Sequence, residues 1–197
     1  MTLTEMTGEG RSPRLTVPPP SCETHSHIYG PESQYPFWPD RLQDPVASVV
    51  AYNQMLDRLG FERAVIVQPA AYGTDNQCTI DAIAARGLEK TRGVCVTKKD
   101  VSEEELQRLH HQGMRGLRFF LMADDFVLAD ALTMAKKIKP FGWHIQFQDE
   151  GDWLETAVPV FNELPVDSVV DHIGRTGVGS TVENKGFQAL LKFMETG

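Results

Sequence analysis

The chain has 197 residues, of which 41% are hydrophobic and 23% are charged, and its formal net charge at pH 7 is −8. This composition is typical of one globular domain with a hydrophobic core, and it excludes a disordered chain. No apolar run approaches the roughly 18 residues that span a bilayer. The sequence has no basic run of the kind that binds nucleic acid or an anionic membrane surface.

The N-terminal stretch "MTLTEMTGEGRSPRLTVPPPS" has no apolar segment of the signal-peptide type. We expect residues 1–20 to be a flexible lead-in and residues 21–197 to form one domain. Cys22, Cys78 and Cys95 are widely spaced, and the sequence has no C-x-x-C pair. It therefore predicts reduced thiols and a cytoplasmic protein.

Short runs rich in β-branched and aromatic residues alternate with helical patterns along the chain. Six of these runs are predicted to be strands: ETHSHI (23–28), RAVIVQP (63–69), RGVCVT (92–97), GLRFFLM (116–122), WHIQFQ (143–148) and DSVVDHIG (167–174). Strands that alternate with helices at this spacing predict repeated βα units around a parallel sheet.

Helix signals lie between and after these strands. The helical patterns with clear ends cover residues 44–60, 102–113, 129–140 and 185–197. The first opens on Asp44 and Pro45 and the second on Ser102, which are residue types that favour a helix start. A further helix is predicted to start near Asp75 or Asn76, either of which can cap it.

Polar side chains lie at or just after the C-terminal ends of the predicted strands, where parallel α/β sheets bind their ligands. The ones with reactive or binding groups are His25, His27, Tyr72, Thr74, Arg118, Gln146, Gln148, His172 and Arg175. Neither a GxxxxGK[ST] loop nor a GxGxxG after the first strand is present. This absence disfavours a nucleotide-binding sheet and favours a barrel-type pocket.

His25, His27 and His172 are the most informative group. Residues i and i+2 of a strand point to the same face, so the first two imidazoles should converge. Three neutral imidazoles can bind a divalent metal such as zinc. They can equally polarise a carbonyl and stabilise an oxyanion without a metal.

The other three histidines have weaker signals. His144 precedes the apolar residues of the fifth predicted strand, and we expect it to face the helical layer. His110 and His111 lie at a polar helix end, where we expect a solvated face. We also expect Trp38 to pack within its loop, near the mouth of the pocket.

Two arginines are expected to contact anions. Arg118 lies in an otherwise apolar strand, and a buried guanidinium requires a partner. That partner is either a protein carboxylate or a substrate carboxylate held bidentately. Arg175 follows His172 in a glycine-flanked loop, where a plain surface arginine is the alternative to a binding role. Tyr72 and Thr74 are expected to face a ligand.

Several segments together resemble the amidohydrolase superfamily, in the amidohydrolase 2 branch that includes 2-pyrone-4,6-dicarboxylate lactonases and sugar-acid lactone hydrolases. They are CETHSHIYGP, YPFWPDR, VIVQPAAYGTDN, GLRFFL, GWHIQFQ and DHIGR. The resemblance implies a TIM-type (β/α)8 barrel. It also implies catalytic roles for His25, His27 and His172, and roles in holding substrate carboxylates for Arg118 and Arg175.

The chain departs from the superfamily pattern at two positions. Glu23 stands where the first strand usually carries an aspartate. Gln148 stands where metal-dependent members carry a lysine or a histidine, and glutamine is a poor zinc ligand. The resemblance therefore favours a site that requires no cofactor, with Gln148 contacting substrate. A site in which one divalent metal is bound by His25, His27 and His172 is the alternative.

The chain is short for such a barrel, which takes about 250 residues. We expect an incomplete barrel of about six βα units. The resemblance places the aspartate that activates water on an eighth strand, and the carboxylates present do not match it. Open sheet edges would favour association into a homo-oligomer.

The predicted function is hydrolysis of a lactone of a small carboxylated molecule. One alternative is a metal-dependent amidohydrolase or decarboxylase. The other is a truncated remnant that keeps the pocket and has no catalytic activity.

Overall fold

The computed structural model describes residues 14–39, 47–121, 126–177 and 181–195. The strands are β1 (Cys22–Ser26), β2 (Arg63–Val67), β3 (Thr91–Cys95), β4 (Met114–Phe120), β5 (His144–Gln148) and β6 (Ser168–Val170). The helices are α1 (Val49–Leu59), α2 (Gln77–Arg86), α3 (Glu103–His111), α4 (Ala131–Ile138), α5 (Leu154–Phe161) and α6 (Lys185–Met194). None of the helices in these ranges has the length and hydropathy that crossing a bilayer requires.

The six strands form one parallel sheet in the order β1-β2-β3-β4-β5-β6. A doubly wound sheet reverses its strand order at one point, whereas a (β/α)8 barrel keeps the order of the chain. The observed order is therefore that of a barrel, and β1 and β6 are the two edges of the described sheet. The predicted incomplete TIM-type barrel of six βα units is confirmed.

The two faces of the sheet differ in chemistry. On the face toward the helices, Leu117 and Phe119 of β4 pair in register with Ile145 and Phe147 of β5, and all four are fully buried. Phe147 also contacts Phe161 of α5, with ring centroids 4.5 Å apart. This outer face holds the hydrophobic core and leaves the inner face of the same strands free to carry polar groups.

The helix ends follow from the local sequence. Ser48 caps α1 because its side chain accepts a hydrogen bond from the Ala51 N–H, and Gly60 ends α1 in the left-handed region at φ 83°. The predicted end of this helix is confirmed, and the predicted start at residues 44–45 lies outside the described residues. Ser102 caps α3 through the Glu105 N–H, as predicted.

His144 does not face the helical layer, so that prediction is wrong. It pairs in register with Gly116, and the next pair on the same face is Arg118 with Gln146. The neighbouring Trp143 takes the helical side, where its indole N–H donates to His110 of α3. His144 shares the parity of Gln146, and strand alternation alone fixes its direction.

Replacement of Gly116 by alanine should destabilise the protein by about 1–3 kcal/mol, a typical cost of overpacking. A Cβ at this position would lie 2.5 Å from Nε2 of the His144 ring. Urea unfolding of Gly116→Ala tests this expectation. The double variant Gly116→Ala/His144→Ala is the control and should recover part of the loss. Equal losses in both variants would contradict the steric explanation.

Candidate active site

The structure brings the three predicted histidines together at the C-terminal ends of β1 and β6. The ring centroid of His25 lies 5.1 Å from that of His27 and 5.0 Å from that of His172. His27 follows the last residue of β1, and His172 lies in the turn after β6. The cluster therefore joins opposite edges of the described sheet.

The turn that carries His172 has unusual backbone geometry. His172, Ile173 and Arg175 have φ values of 53°, 55° and 43°, and Gly174 between them has φ 76°. Left-handed conformations at residues other than glycine cost free energy and concentrate at functional sites. The His172 ring is exposed at this turn, on the open side of the histidine cluster.

The tautomer of His27 is fixed by its surroundings. Its Nδ1 lies 2.8 Å from the carbonyl oxygen of Val67, at the end of β2. A carbonyl can only accept, so Nδ1 carries the proton and Nε2 of the neutral ring is an acceptor. Burial lowers the pKa of His27 to about 4, so the ring is neutral at pH 7. Burial also lowers the pKa of His172.

A buried ion pair lies beside the cluster. Nη2 of Arg118 is 3.3 Å from Oδ2 of Asp171, and each side chain is at most 3% exposed. Arg118 also donates to the carbonyl oxygen of Gln68 and to the side-chain oxygen of Gln148. Of the two anions that the sequence left open for Arg118, the structure contains the protein carboxylate.

Asp171 accepts hydrogen bonds from several neighbours and stays charged. Nε2 of Gln146 lies 2.5 Å from its Oδ1, and Nδ1 of His25 lies 3.4 Å from the same oxygen. Burial alone would raise the pKa of Asp171. The contact with His25 and the charge of Arg118 outweigh burial and hold this pKa below its usual value. We had predicted no role for Asp171 in the site.

The proton of His25 has two competing neighbours. Nδ1 of His25 lies 3.2 Å from the amide nitrogen of Gln146, which is a donor, and 3.4 Å from Asp171, which is an acceptor. If Nδ1 accepts from Gln146, Nε2 carries the proton. If Nδ1 donates to Asp171, Nε2 has the free lone pair. In either state Nε2 is buried and has no hydrogen-bond partner among the described residues.

Gln148 and Tyr72 are placed differently from what we predicted. Gln148 is buried and its side-chain oxygen accepts from Arg118, so it holds the arginine. Tyr72 is 1% exposed, stacks on Phe37 and accepts a hydrogen bond from the Gly30 N–H, so it belongs to the core. The signal for Tyr72 was its position just after β2, and a tyrosine at such a position can be part of the core as readily as contact a ligand.

Thr74 lines a cleft to which none of the three histidines contributes, and Arg175 lies in the turn that carries His172. Thr74 is half-buried and lines a cleft of about 210 Å³ together with residues such as Thr97 from the loop after β3. The guanidinium of Arg175 is 39% exposed and lies 3.5 Å from Glu150. Exposed pairs of this kind are weak, so Arg175 can exchange Glu150 for another carboxylate.

The remaining predictions concern neighbouring loops. The Asp75 carboxylate accepts from the Gln77 N–H at the start of α2, whereas Asn76 bonds to the backbone of Val96. Asp75 is therefore the side chain that caps this helix. The Trp38 ring packs on Gly73 of the loop after β2, so its packing is against a neighbouring loop and not within its own.

The outer histidines differ from each other. His111 is exposed as expected. His110 is half-buried and accepts a hydrogen bond of 3.0 Å from the Trp143 indole, so the solvated face predicted for it is wrong. The partner that displaces water from His110 is Trp143, the residue just before β5, and the helix sequence alone could not show it.

Acidification from pH 7.5 to pH 5 should lower the free energy of unfolding by about 2 kcal/mol through the protonation of His27 in the unfolded state. Its pKa is about 4 when folded and about 6.5 when unfolded. Between these values the unfolded state binds more protons, so stability falls as the pH falls. Urea midpoints of wild type and His27→Gln at both pH values measure this difference.

The wild type should lose more stability on acidification than His27→Gln, which stays neutral. His172 also has a lowered pKa, so a smaller pH dependence should remain in the variant. His111→Gln is the matched control and should behave as wild type. Identical pH dependence in wild type and His27→Gln would contradict the buried, neutral state of His27.

Comparison with known proteins gives a consistent set of relatives. A family model described as Amidohydrolase matches residues 22–197. The chain is 38% identical over 186 residues to a 2-pyrone-4,6-dicarboxylate hydrolase of Comamonas testosteroni. This alignment covers 92% of this chain and 61% of that protein. It is 26% identical over 188 residues to a 4-sulfomuconolactone hydrolase of Hydrogenophaga intermedia, again covering 92% and 61%.

A solved structure shows the same architecture. The probable 2-pyrone-4,6-dicarboxylic acid hydrolase of Acinetobacter baumannii, crystallised with citric acid bound, superposes with a TM-score of 0.79 at 26% identity. The match covers 88% of this chain and 66% of that one. The chain thus spans 61% of the length of the two curated relatives named above.

Proposed function

Because the chain belongs to the amidohydrolase family, we propose that it is part of an enzyme that hydrolyses the lactone of a small carboxylated molecule. The observation that carries this proposal is the meeting of His25, His27 and His172 beside the buried Arg118–Asp171 pair. Relatives that are named hydrolases of a dicarboxylated pyrone and of a sulfonated muconolactone support the substrate class.

Lactone hydrolysis needs a donor for the carbonyl oxygen and an acceptor for the proton of water. Nε2 of His25 is buried and has no hydrogen-bond partner in the described part of the chain. In the tautomer in which Nδ1 accepts from Gln146, Nε2 would donate to the lactone carbonyl. Nε2 of His27 is an acceptor because Nδ1 is held by Val67. His25 would therefore stabilise the developing oxyanion. His27 would orient the attacking water or accept its proton.

We propose different roles for the two arginines, one structural and one in substrate binding. Arg118 already contacts Asp171 and Gln148 with one terminal nitrogen and Gln68 with the other. A bidentate grip on a substrate carboxylate would require it to leave these partners. Arg175, with its exposed and exchangeable contact to Glu150, is the arginine that we propose for the substrate carboxylate. Citric acid in one relative supports binding of polycarboxylates in this family.

A metal-dependent hydrolase is the second candidate, and one observation favours it. His25, Asp171 and His172 each offer a ligand atom, and these atoms lie within 4.8 Å of one another. In this set Asp171 stands in place of His27, which the sequence analysis had included among the metal ligands. These residues fit a divalent ion such as zinc. If bound, the ion would polarise the ester carbonyl as a Lewis acid.

The two candidates require opposite protonation of His25. Without a metal, its Nε2 must carry a proton, so Nδ1 accepts from Gln146. With a metal held by Nε2, that nitrogen must be a free lone pair, and Nδ1 carries the proton. We propose the metal-independent state, in which Nε2 donates to the substrate carbonyl and Nδ1 accepts from the Gln146 amide, 3.2 Å away.

The test is hydrolysis of a lactone panel by the full protein that contains this chain, with and without a chelator. We expect turnover of a dicarboxylated pyrone and at least about 100-fold lower kcat/KM for an uncharged lactone, because the carboxylate contact is then lost. Chelation should leave the rate unchanged. Elemental analysis of the same preparation accompanies the assay.

The outcomes separate the hypotheses. Loss of activity on chelation, with metal found by elemental analysis, would replace the metal-independent mechanism with the second candidate. Tight binding of the lactone without turnover would indicate a non-catalytic binding protein. Neither binding nor turnover of any lactone would reject the proposed function. The three free cysteines support placing the protein in a reducing compartment such as the cytoplasm, as part of the same proposal.

A further inference from the structure

The first strand has an irregular register at the histidines. Glu23 pairs with Ala64 of β2, and the next pair is Ser26 with Ile66. The chain advances three residues on β1 and two on β2, so β1 contains one extra residue, which is a β-bulge. Bulges remove ladder hydrogen bonds and re-aim side chains, and they are common beside active sites. His25 lies inside this bulge.

The carboxylate of Glu23 spans the bulge. Its Oε1 accepts a hydrogen bond of 2.8 Å from the backbone N–H of His25. Its Oε2 accepts one of 2.5 Å from the hydroxyl of Tyr52 in α1. One carboxylate therefore connects the backbone inside the bulge to a phenol on α1.

Tyr52 is a rigid anchor for this arrangement. Its side chain is 7% exposed and belongs to the core between α1 and the sheet. Burial and the neighbouring Glu23 carboxylate raise the pKa of Tyr52, so its hydroxyl stays protonated and donates. A hydrogen bond from a hydroxyl to a carboxylate is roughly twice as strong as one between neutral groups.

We infer that Glu23 and Tyr52 are a positioning pair that holds the bulge of β1 and so sets the directions of the His25 and His27 rings. Strand parity alone does not bring the two imidazoles together, because the bulge interrupts the alternation between Glu23 and Ser26. The pair acts through the backbone of His25. The inference rests on the proposed function only for its kinetic readout.

The length of the side chain at position 23 matters for this role. A glutamate is one methylene longer than the aspartate that the superfamily usually carries. The extra reach lets one carboxylate bond both to the His25 N–H, two residues along the same strand, and to a phenol on the adjacent helix. Tyr52 and Glu23 are thus linked, and Glu23→Asp should lose one of the two bonds.

The experiment compares two tyrosine-to-phenylalanine variants of the full protein. Tyr52→Phe keeps the buried ring and removes the hydroxyl. Tyr35→Phe is the matched control, since its hydroxyl also donates to a carboxylate, at 2.7 Å from Asp81, away from β1. We expect Tyr52→Phe to lower kcat by about 10- to 100-fold, as misplaced catalytic groups do. KM should stay within about twofold, and Tyr35→Phe should match wild type.

A second readout needs no substrate. The side-chain ¹⁵N resonances of His25 and His27 should shift in Tyr52→Phe and stay unchanged in Tyr35→Phe. Glu23→Ala should shift them too, and Glu23→Gln, which still accepts from the His25 N–H, should shift them less. Unchanged resonances together with an unchanged kcat in Tyr52→Phe would overturn the inference. So would equal changes in both tyrosine variants. Because the resonances are measured without lactone, this result is independent of whether the proposed function holds.

Discussion

Asp171→Asn is expected to destabilise the protein by about 3–5 kcal/mol, the usual cost of removing one partner from a buried ion pair. Asp171 is the charged partner of Arg118, and neither side chain has meaningful contact with solvent. Asparagine has one acceptor oxygen, whereas Gln146, His25 and Arg118 converge on two carboxylate oxygens. The guanidinium would stay buried without a countercharge.

Urea unfolding at pH 7.5 measures this loss, and Asp167→Asn is the matched control. Asp167 is an exposed carboxylate just before β6, and its variant should stay within about 0.5 kcal/mol of wild type. The double variant Arg118→Met/Asp171→Leu removes both charges and should be less destabilised than Asp171→Asn, because the two positions are coupled. A loss in Asp171→Asn no larger than that in Asp167→Asn would show that the pair contributes little.

The order of the sheet was accessible from the sequence because it depends on local patterns. Each βα unit carries its own strand signal and helix ends, and parallel units in succession pair with their neighbours. The meeting of His25 with His172 followed from the same logic, since the C-terminal ends of parallel strands share one rim. The direction of His144 was predicted wrongly. His144 lies two residues before Gln146, so strand alternation places both side chains on the same face.

The partners of the buried polar groups were less accessible. A buried Arg118 requires an anion, and Asp171 directly precedes His172, a predicted site residue. These two facts could have indicated the Arg118–Asp171 ion pair. The bulge at His25 and the phenol of Tyr52 gave no signal, because both depend on the packing of α1 against β1. The same applies to Tyr72, whose burial depends on the loop that carries Phe37.

The tautomers of the histidines could not be predicted from sequence at all. They depend on single contacts between different strands, such as the one between His27 and the Val67 carbonyl. This limit matters for mechanism, because a neutral imidazole donates from one nitrogen and accepts at the other. The residue types predicted a site with three imidazoles, and only the contacts assign a donor and an acceptor within it.

His25→Ala is expected to lower kcat/KM for lactone hydrolysis by about 100- to 1,000-fold, the usual effect of removing one oxyanion donor. Its Nε2 is buried and no described residue forms a hydrogen bond with it, so a bound carbonyl oxygen gains a contact there that water does not compete for. His111→Ala, at the exposed end of α3, is the control and should keep the wild-type kcat/KM. Both variants should fold, and circular dichroism checks this.

The same variant separates the two mechanisms when its metal content is measured. In the metal-independent mechanism, wild type and His25→Ala both lack stoichiometric metal and differ only in rate. In the metal-dependent one, wild type carries an ion, and His25→Ala should lose it together with activity, since His25 is one of three ligands with Asp171 and His172. Retention of full activity by His25→Ala would contradict both, because each assigns a chemical role to His25.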